Sequence, residues 1–335
     1  MPQVDGKIGH FVPARFIPVP NTISAEARAV LERGVPVERE VEPDPRDKEA
    51  WRRHVGKSNG FLAKIIAKLA EDHSAEILPH ELQHAALYEV SPRNLPEANE
   101  SRAILYIHGG GFTSGGGIAA AYTAMRIAEL MRIKVFSVDY RMPPDHPFPA
   151  GLDDVVEAYR WLLSAYKADA IAVYGPSAGG GLAASLVLKI RDIGIQMPAA
   201  CVLHSPEVDL TESGDSFETN DKIDFILTRL TNSIALYADG HDLKDPYLSP
   251  LFGDFSKGFP PTILTSGTRD MFLSNTVLMH RALRRAGLVA ELHVWEAMSH
   301  GGFFGAAPED REVYAEQVSF VYKYLGLTEM VSGSA

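Results

Sequence analysis

The sequence predicts an α/β fold in which a mostly parallel sheet is covered on both faces by helices. Two observations carry that prediction. From Ala85 onward, short apolar runs alternate with stretches whose apolar residues recur at helical spacing; strand and helix in alternation build a parallel sheet, because parallel neighbours need a crossover between them. Midway along the chain, Ile171-Ala172-Val173-Tyr174 runs into Gly175-Pro176-Ser177-Ala178-Gly179 and then into Leu182-Ala183-Ala184-Ser185-Leu186, so a strand, a tight turn and a helix follow one another without a spacer. In such sheets ligands bind beyond the carboxyl ends of the strands, and the site is expected in the loops there.

Taken in order, residues 1 to about 45 mix Pro13, Pro18, Pro20, Pro36, Pro43 and Pro45 with a short helical pattern over 25–33. They read as an arm laid over something else rather than as a core. Over 47–72, Trp51, Val55, Phe61, Leu62, Ile65, Ile66 and Leu69 recur near helical spacing, predicting one or two amphipathic helices with a break near Gly56 to Gly60. Strands are expected over 86–90, 103–107, 134–138, 170–174, 199–204, 262–265 and 291–295, and helices over 119–131, 152–166, 181–193, 274–286 and 309–324. The stretch 207–247 is too long for a plain connection and reads as an inserted cap packed with the arm. The expected division is therefore 1–84 as arm and cap helices, 85–206 with 248–330 as the catalytic domain, and 207–247 as the cap insertion. The strand over 291–295 follows the one over 262–265 and is expected at the sheet edge, and the tail 331–335 is expected to fray.

Composition narrows the function. Hydrophobic residues make up 46% and charged residues 22% of 335, ordinary values for a globular chain long enough to bury a large core. The formal charge is −11 and no Lys/Arg-rich block occurs, which argues against a nucleic-acid or anionic-membrane surface and for a small-molecule partner. The single cysteine, Cys201, lies in Ala199-Ala200-Cys201-Val202-Leu203 and reads as a buried strand residue; no intrachain disulfide is possible, which fits a reducing compartment. With no signal-like N-terminus and no apolar run of spanning length, a cytoplasmic protein without membrane insertion is expected. His54, His73, His80 and His84 lack further ligands at metal-site spacing and read as solvated or packed, so no metal is expected.

Chemistry enters at Gly175-Pro176-Ser177-Ala178-Gly179. A serine meant to stand clear of a sheet edge needs a cramped turn whose flanks leave no room for a Cβ. A plain strand-to-helix turn with a capping serine, or a phosphate loop, has the same outline. After the 103–107 strand comes His108-Gly109-Gly110-Gly111-Phe112, whose glycines let backbone N–H groups face a developing negative oxygen. A dinucleotide loop would need a third glycine at the position Ser114 holds, and a merely flexible turn is the other reading. A base is expected downstream of the serine in a loop after a late strand, and His300 in Met298-Ser299-His300-Gly301-Gly302 meets that condition. His293 alternates with apolar neighbours inside a strand and reads as a surface or packed residue. Asp270 stands just beyond the 262–265 strand, whereas Asp245 in Asp245-Pro246 reads as a turn starter. Ser177, Asp270 and His300 thus follow the Ser, Asp, His chain order of α/β-hydrolases.

These motifs together resemble the hormone-sensitive-lipase-like (bacterial family IV) esterases. The resemblance rests on His108-Gly-Gly-Gly-Phe112, Asp139-Tyr-Arg-Met-Pro-Pro-Asp-His-Pro-Phe-Pro-Ala150, Gly175-Pro-Ser-Ala-Gly-Gly180, Asp245-Pro-Tyr-Leu-Ser-Pro250 and the loops of Asp270 and His300, and it spans about Ile104 to Phe304. It implies an α/β-hydrolase fold with a helical cap, and hydrolysis of short- to medium-chain acyl esters without a cofactor. It also implies oxyanion donors on the N–H groups of Gly110, Gly111 and Ala178, and a homodimer through the edge strand. One residue departs from it. The position before the nucleophile is often Asp or Thr in that family and here is Pro176, which lacks an N–H and fixes φ in a way compatible with the turn.

Overall fold

The computed structural model describes residues 3–4, 7–10, 12–34, 41–71 and 73–328. Pro36 of the arm, the side chains of Ile65, Ile66 and Leu69, and the tail expected to fray all lie outside the described residues. A short antiparallel pair, β1 (Gln3–Val4) and β2 (Lys7–Ile8), precedes the first helix, α1 (Ala25–Glu32). Ser24 caps α1 by accepting the Ala27 N–H, while its own N–H and hydroxyl each donate to the Glu309 carboxylate at 2.7 Å. Ala27 and Val30 are buried against Met298, Phe303, Ala307 and Val313. What the arm covers is therefore the loop that follows the last strand.

The second helix, α2 (Lys48–Ala70), is capped by Asp47 and runs unbroken for 23 residues. The break expected near Gly56 and Gly60 does not occur. A glycine costs a helix only about 1 kcal/mol relative to alanine, and packing along α3 (Ile118–Met131) together with the fully buried Trp51 outweighs it.

The main sheet has eight strands: β3 (Glu76–Glu81), β4 (Ala86–Ser91), β5 (Ala103–Ile107), β6 (Lys134–Asp139), β7 (Ile171–Pro176), β8 (Ala200–His204), β9 (Thr262–Gly267) and β10 (Ala290–Trp295). Their order across the sheet is β10-β9-β8-β7-β5-β6-β4-β3. Pairings from β6 to β10 are parallel; β4 runs antiparallel to β6, and β3 antiparallel to β4. The sequence did not reveal β3, since Glu-Ile-Leu-Pro-His-Glu carries neither a clean alternation nor a β-branched run. Its proline is tolerated because β3 is an edge strand.

Helices cover both faces. On one lie α4 (Ala150–Leu162), α5 (Ala178–Asp192) and α8 (Leu273–Arg285); on the other, α3 and α9 (Pro308–Leu325). Ile171, Val173, Cys201 and Leu203 point into the first layer, while Ala172, Tyr174, Ala200 and Val202 point into the second. Each fully buried Val, Leu or Ile is worth about 1.5–3 kcal/mol. Cys201 is inert strand packing: burial pushes its thiol pKa well up. Two short helices, α6 (Ser216–Thr219) and α7 (Thr231–Ala238), lie in the long stretch between β8 and β9.

The topology places the site. β5 pairs with β6 on one side and β7 on the other, so the winding direction reverses between β5 and β7. The loops leaving their carboxyl ends part there and open a crevice. The two strand ends also meet at backbone distance: a Cβ on Gly179 would lie 2.0 Å from the carbonyl of Ile107 and 2.6 Å from that of His108. Gly179→Ala is expected to destabilise the fold by about 2 kcal/mol or more, read as a lower urea midpoint at unchanged m-value.

Candidate active site

β7 delivers Ser177 into a turn at φ 56° and ψ −130°, a conformation that costs a non-glycine residue about 1–3 kcal/mol. Four backbone hydrogen bonds hold it there. The Ser177 N–H donates to the His204 carbonyl at 2.9 Å, and its own carbonyl accepts from Gly180, Gly181 and Glu207 at 2.8, 3.3 and 3.0 Å. A Cβ on Gly175 would stand 2.2 Å from the Gly179 carbonyl, so the glycines flanking the serine answer the steric demand read from the sequence.

Asp270, fully buried, follows the end of β9, and His300 follows β10. The three side chains named from the sequence form one row: the Ser177 hydroxyl lies 2.9 Å from His300 Nε2, and His300 Nδ1 lies 3.1 Å from Asp270 Oδ1. The Ser266 hydroxyl at 2.6 Å and the Phe272 N–H at 2.9 Å also donate to the Asp270 carboxylate. Phe272 sets its ring edge-on to the imidazole, with centroids 4.9 Å apart.

The electrostatics are a contest between burial and pairing. Burial alone would raise the Asp270 pKa, yet the His300 charge and the three donated hydrogen bonds outweigh it and hold the carboxyl below its ordinary value. Burial alone would lower the His300 pKa; the Asp270 charge, its hydrogen bond and the Asp224 charge outweigh that and raise it. Asp270 is thus kept ionised and His300 made more basic.

On the other side of the hydroxyl, the N–H groups of Gly110, Gly111 and Ala178 donate to no group among the described residues. The loop carrying the two glycines is turned by N–H groups of Thr113 and Ser114 donating to the Gly110 carbonyl. His108 supports it from below, stacked on Tyr140 at 4.2 Å, while the Tyr140 hydroxyl donates to the His108 carbonyl. Ser177, His300 and these glycines open on a cavity of about 450 Å³. Leu62 and Val55 of α2 wall it on one side, and Ile226, Leu227 and Leu230 from the 207–247 stretch on another.

Two residues here escaped the sequence reading. Asp224 sends one carboxylate oxygen to the N–H groups of Met271 and His300, at 2.8 and 3.3 Å, and the other to those of Ile226 and Leu227, at 2.8 and 3.1 Å. It therefore ties the 207–247 stretch to both the Asp270 and the His300 loops. Glu207 is buried beside the turn with neither carboxylate oxygen bonded to any group among the described residues, and burial, with Glu212 and Glu42 nearby, raises its pKa well above the usual range. Nothing in the surrounding sequence distinguishes either one.

The remaining polar candidates sit elsewhere. Asp245 accepts the Tyr247 N–H at 2.8 Å as a turn residue, and His293 lies on β10 between Glu291 and Glu316 at 3.7 and 4.0 Å. His73 and His80 pack on Glu129 and Glu89. His84 gathers with Asp154 and Glu157, where Arg141 already takes both Asp154 oxygens.

Residues 104–304 match a family described by its alpha/beta hydrolase fold. The chain belongs to that family. The α/β-hydrolase is 31% identical over 208 residues to an acetyl-hydrolase of Streptomyces hygroscopicus, covering 61% of this chain and 69% of the relative. It is 30% identical over 230 residues to an esterase of Acinetobacter venetianus, covering 67% and 76%. Among solved structures, an esterase named E25 superposes with a TM-score of 0.86 at 34% identity, covering 96% of this chain and 99% of that one. An esterase from the bacterial hormone-sensitive lipase family gives 0.74 at 28%, covering 90% and 99%. This α/β-hydrolase is a hormone-sensitive-lipase-like carboxylic-ester hydrolase. Among the described residues no helix is long and apolar enough to cross a membrane.

Proposed function

We propose that this enzyme cleaves short- to medium-chain acyl esters through an acyl-enzyme on Ser177. Carrying that reading is the unbroken row from the Ser177 hydroxyl through His300 to Asp270, at 2.9 and 3.1 Å, on the wall of the 450 Å³ cavity. His300 Nε2 takes the hydroxyl proton as the serine oxygen attacks the ester carbonyl. Asp270 holds the proton on Nδ1 and stabilises the imidazolium. The N–H groups of Gly110, Gly111 and Ala178 receive the oxyanion. The imidazolium then protonates the departing alkoxide, and water, deprotonated by His300 in its turn, releases the acid and restores the serine.

Leu62, Val55, Ile226, Leu227 and Leu230 favour an apolar acyl chain of modest length. In this reading residues 1–84 are an arm with helices that contribute to the cap, 207–247 are the cap insertion, and 85–206 with 248–330 are the catalytic domain. An acetyl ester is the second reading, favoured by the similarity to an acetyl-hydrolase. A lactone or amide would use the same row, and a binder without turnover would have no need of it. A similar structure, EstE5, was soaked with p-nitrophenyl butyrate, which makes that ester a suitable first probe.

Ser177→Ala is expected to lower p-nitrophenyl butyrate turnover by roughly 10⁵-fold or more with the fold intact; turnover within about 10²-fold of wild type sinks the assignment. A panel from acetate to octanoate separates the two readings, a maximum at butyrate or hexanoate favouring the first and a maximum at acetate the second. Because His300 acts as a base only when neutral, and its pKa is raised, the acid limb of kcat/KM is expected above the unperturbed value of about 6.5. A limb below 6.5, or none between pH 5 and 8, contradicts this. β10 is an edge strand with Val294 at 41% exposure, and pairing of two such edges is the proposed homodimer contact; light scattering at micromolar concentration is expected to give twice the mass of one 36.6 kDa chain.

A further inference from the structure

The helix α2 carries a charge opposite in sign to that of the whole chain. Its 23 residues hold six Lys/Arg against one Glu, a net charge of +5 on a protein whose formal charge is −11. No cationic block shows in the sequence, since the helix and not the chain gathers these residues. Arg53, Lys57, Phe61, Lys64 and Lys68 follow one another at intervals of four, four, three and four, and at about 100° per residue all five fall within roughly 80° of arc. All five are exposed, Phe61 at 67%.

The adjoining face of the same helix, with His54, Val55, Ser58 and Leu62, lines the cavity, so the cationic row runs along the rim of the site. Two further large apolar side chains stand in water beside cavity-lining residues. Val41 precedes Glu42, and the Phe304 ring lies 5.3 Å from that of Phe225, the neighbour of Ile226.

A face that is only solvated needs charge but has no use for a phenylalanine in the middle of it. Cations around an exposed apolar side chain are the pattern of a helix lying in a lipid interface, where the ring enters the headgroup region and the long basic side chains meet anionic headgroups. The total charge of −11 does not oppose this, because at physiological salt charges more than about 8 Å from the contact are largely screened. Arg53 is paired with Glu49 at 2.9 Å, whereas Lys64 and Lys68 form no ion pair among the described residues. We propose that α2 docks this enzyme peripherally on an anionic lipid surface, through Arg53, Lys57, Phe61, Lys64 and Lys68, with the cavity mouth turned toward the lipid. No segment enters the bilayer core. The helix packs along α3, which covers β4 and β6, so a dimer contact at β10, on the other side of the sheet order, leaves the row open.

The test is co-sedimentation of the intact protein with vesicles of phosphatidylcholine alone, or with about one third phosphatidylglycerol, at low salt. Wild type is expected to partition onto the anionic vesicles, to stay off the neutral ones, and to be released as salt approaches about 0.5 M. Lys64→Glu combined with Lys68→Glu is expected to weaken partitioning by about 20-fold or more, and Phe61→Ser by about 10-fold. Both are expected to keep p-nitrophenyl butyrate turnover in lipid-free buffer within about twofold of wild type, as exposed substitutions outside the cavity do. Arg281→Glu combined with Arg284→Glu, exposed on α8 and outside the cavity lining, is expected to leave partitioning unchanged. Phe61→Ser decides the matter if the charge variant does not fold. Failure of wild type to bind anionic vesicles, equal binding to neutral ones, an α2 variant that binds as wild type does, or an equal loss in the α8 variant overturns the docking face. Turnover by Ser177→Ala overturns the acyl-enzyme reading and leaves vesicle binding standing, so the two fail separately.

Discussion

The structure depends on a backbone-to-backbone approach in which β7 and the start of α5 press against the end of β5 with no side chain between them. A Cβ at 179 would stand 2.0 Å from the Ile107 carbonyl, inside any allowed contact. That approach brings the Ala178 N–H, on the first turn of α5, next to the glycine loop that leaves β5. It also forces Ser177 into its strained turn, so that the hydroxyl stands out of the sheet instead of lying along it. A strain of about 1–3 kcal/mol persists only when surrounding bonds over-determine the conformation. Here four backbone hydrogen bonds do so, two of them from chain well beyond the turn, at His204 and Glu207.

Burial would neutralise both ionisable members of the row if it acted alone. An isolated carboxylate in a dry interior is costly enough that it would take up a proton. Asp270 escapes because three donors converge on its two oxygens, and His300 because two carboxylates face it. The second, Asp224, spends its oxygens on four N–H groups, so it contributes charge to His300 without competing for the Nδ1 proton. The division of labour is geometric: Asp270 meets the ring, and Asp224 meets the backbone that carries the ring.

How much of this was readable in the chain follows from the range of the physics. The seven strands anticipated from Ala85 onward were legible because each is short, apolar and bounded by turn residues, and the serine turn because its glycines answer a local steric demand. His300 and Asp270 were legible by position, each just past a strand. β3 was not, since an edge strand half in water needs no apolar pattern. Nor was the continuity of α2, where local glycine propensity pointed one way and packing on α3 decided the other. Asp224, Glu207 and His204 were invisible for a deeper reason. Asp224 meets Met271 47 residues on and His300 76 residues on, His204 meets Thr265 61 residues on, and Glu207 has no bonded partner among the described residues to mark it; no spacing rule reaches that far.

The stretch 207–247 does two jobs that cannot be varied separately. Ile226, Leu227 and Leu230 wall the cavity, while two residues before Ile226 the Asp224 carboxylate holds the N–H of His300. The N–H groups of Ile226 and Leu227 bind the other oxygen of that same carboxylate. A substrate that pushes this wall outward pulls on Asp224, and through it on the backbone of the base. On the proposed acyl-enzyme reading, binding energy from the acyl chain is thereby linked to alignment of the imidazole, a route by which a remote part of a substrate influences kcat as well as KM. The α2 wall, built from Val55 and Leu62, has no such link to His300 among the described hydrogen bonds. Enlarging the cavity from the α2 side therefore changes what fits, whereas enlarging it from the other side changes what fits and how well the base is held.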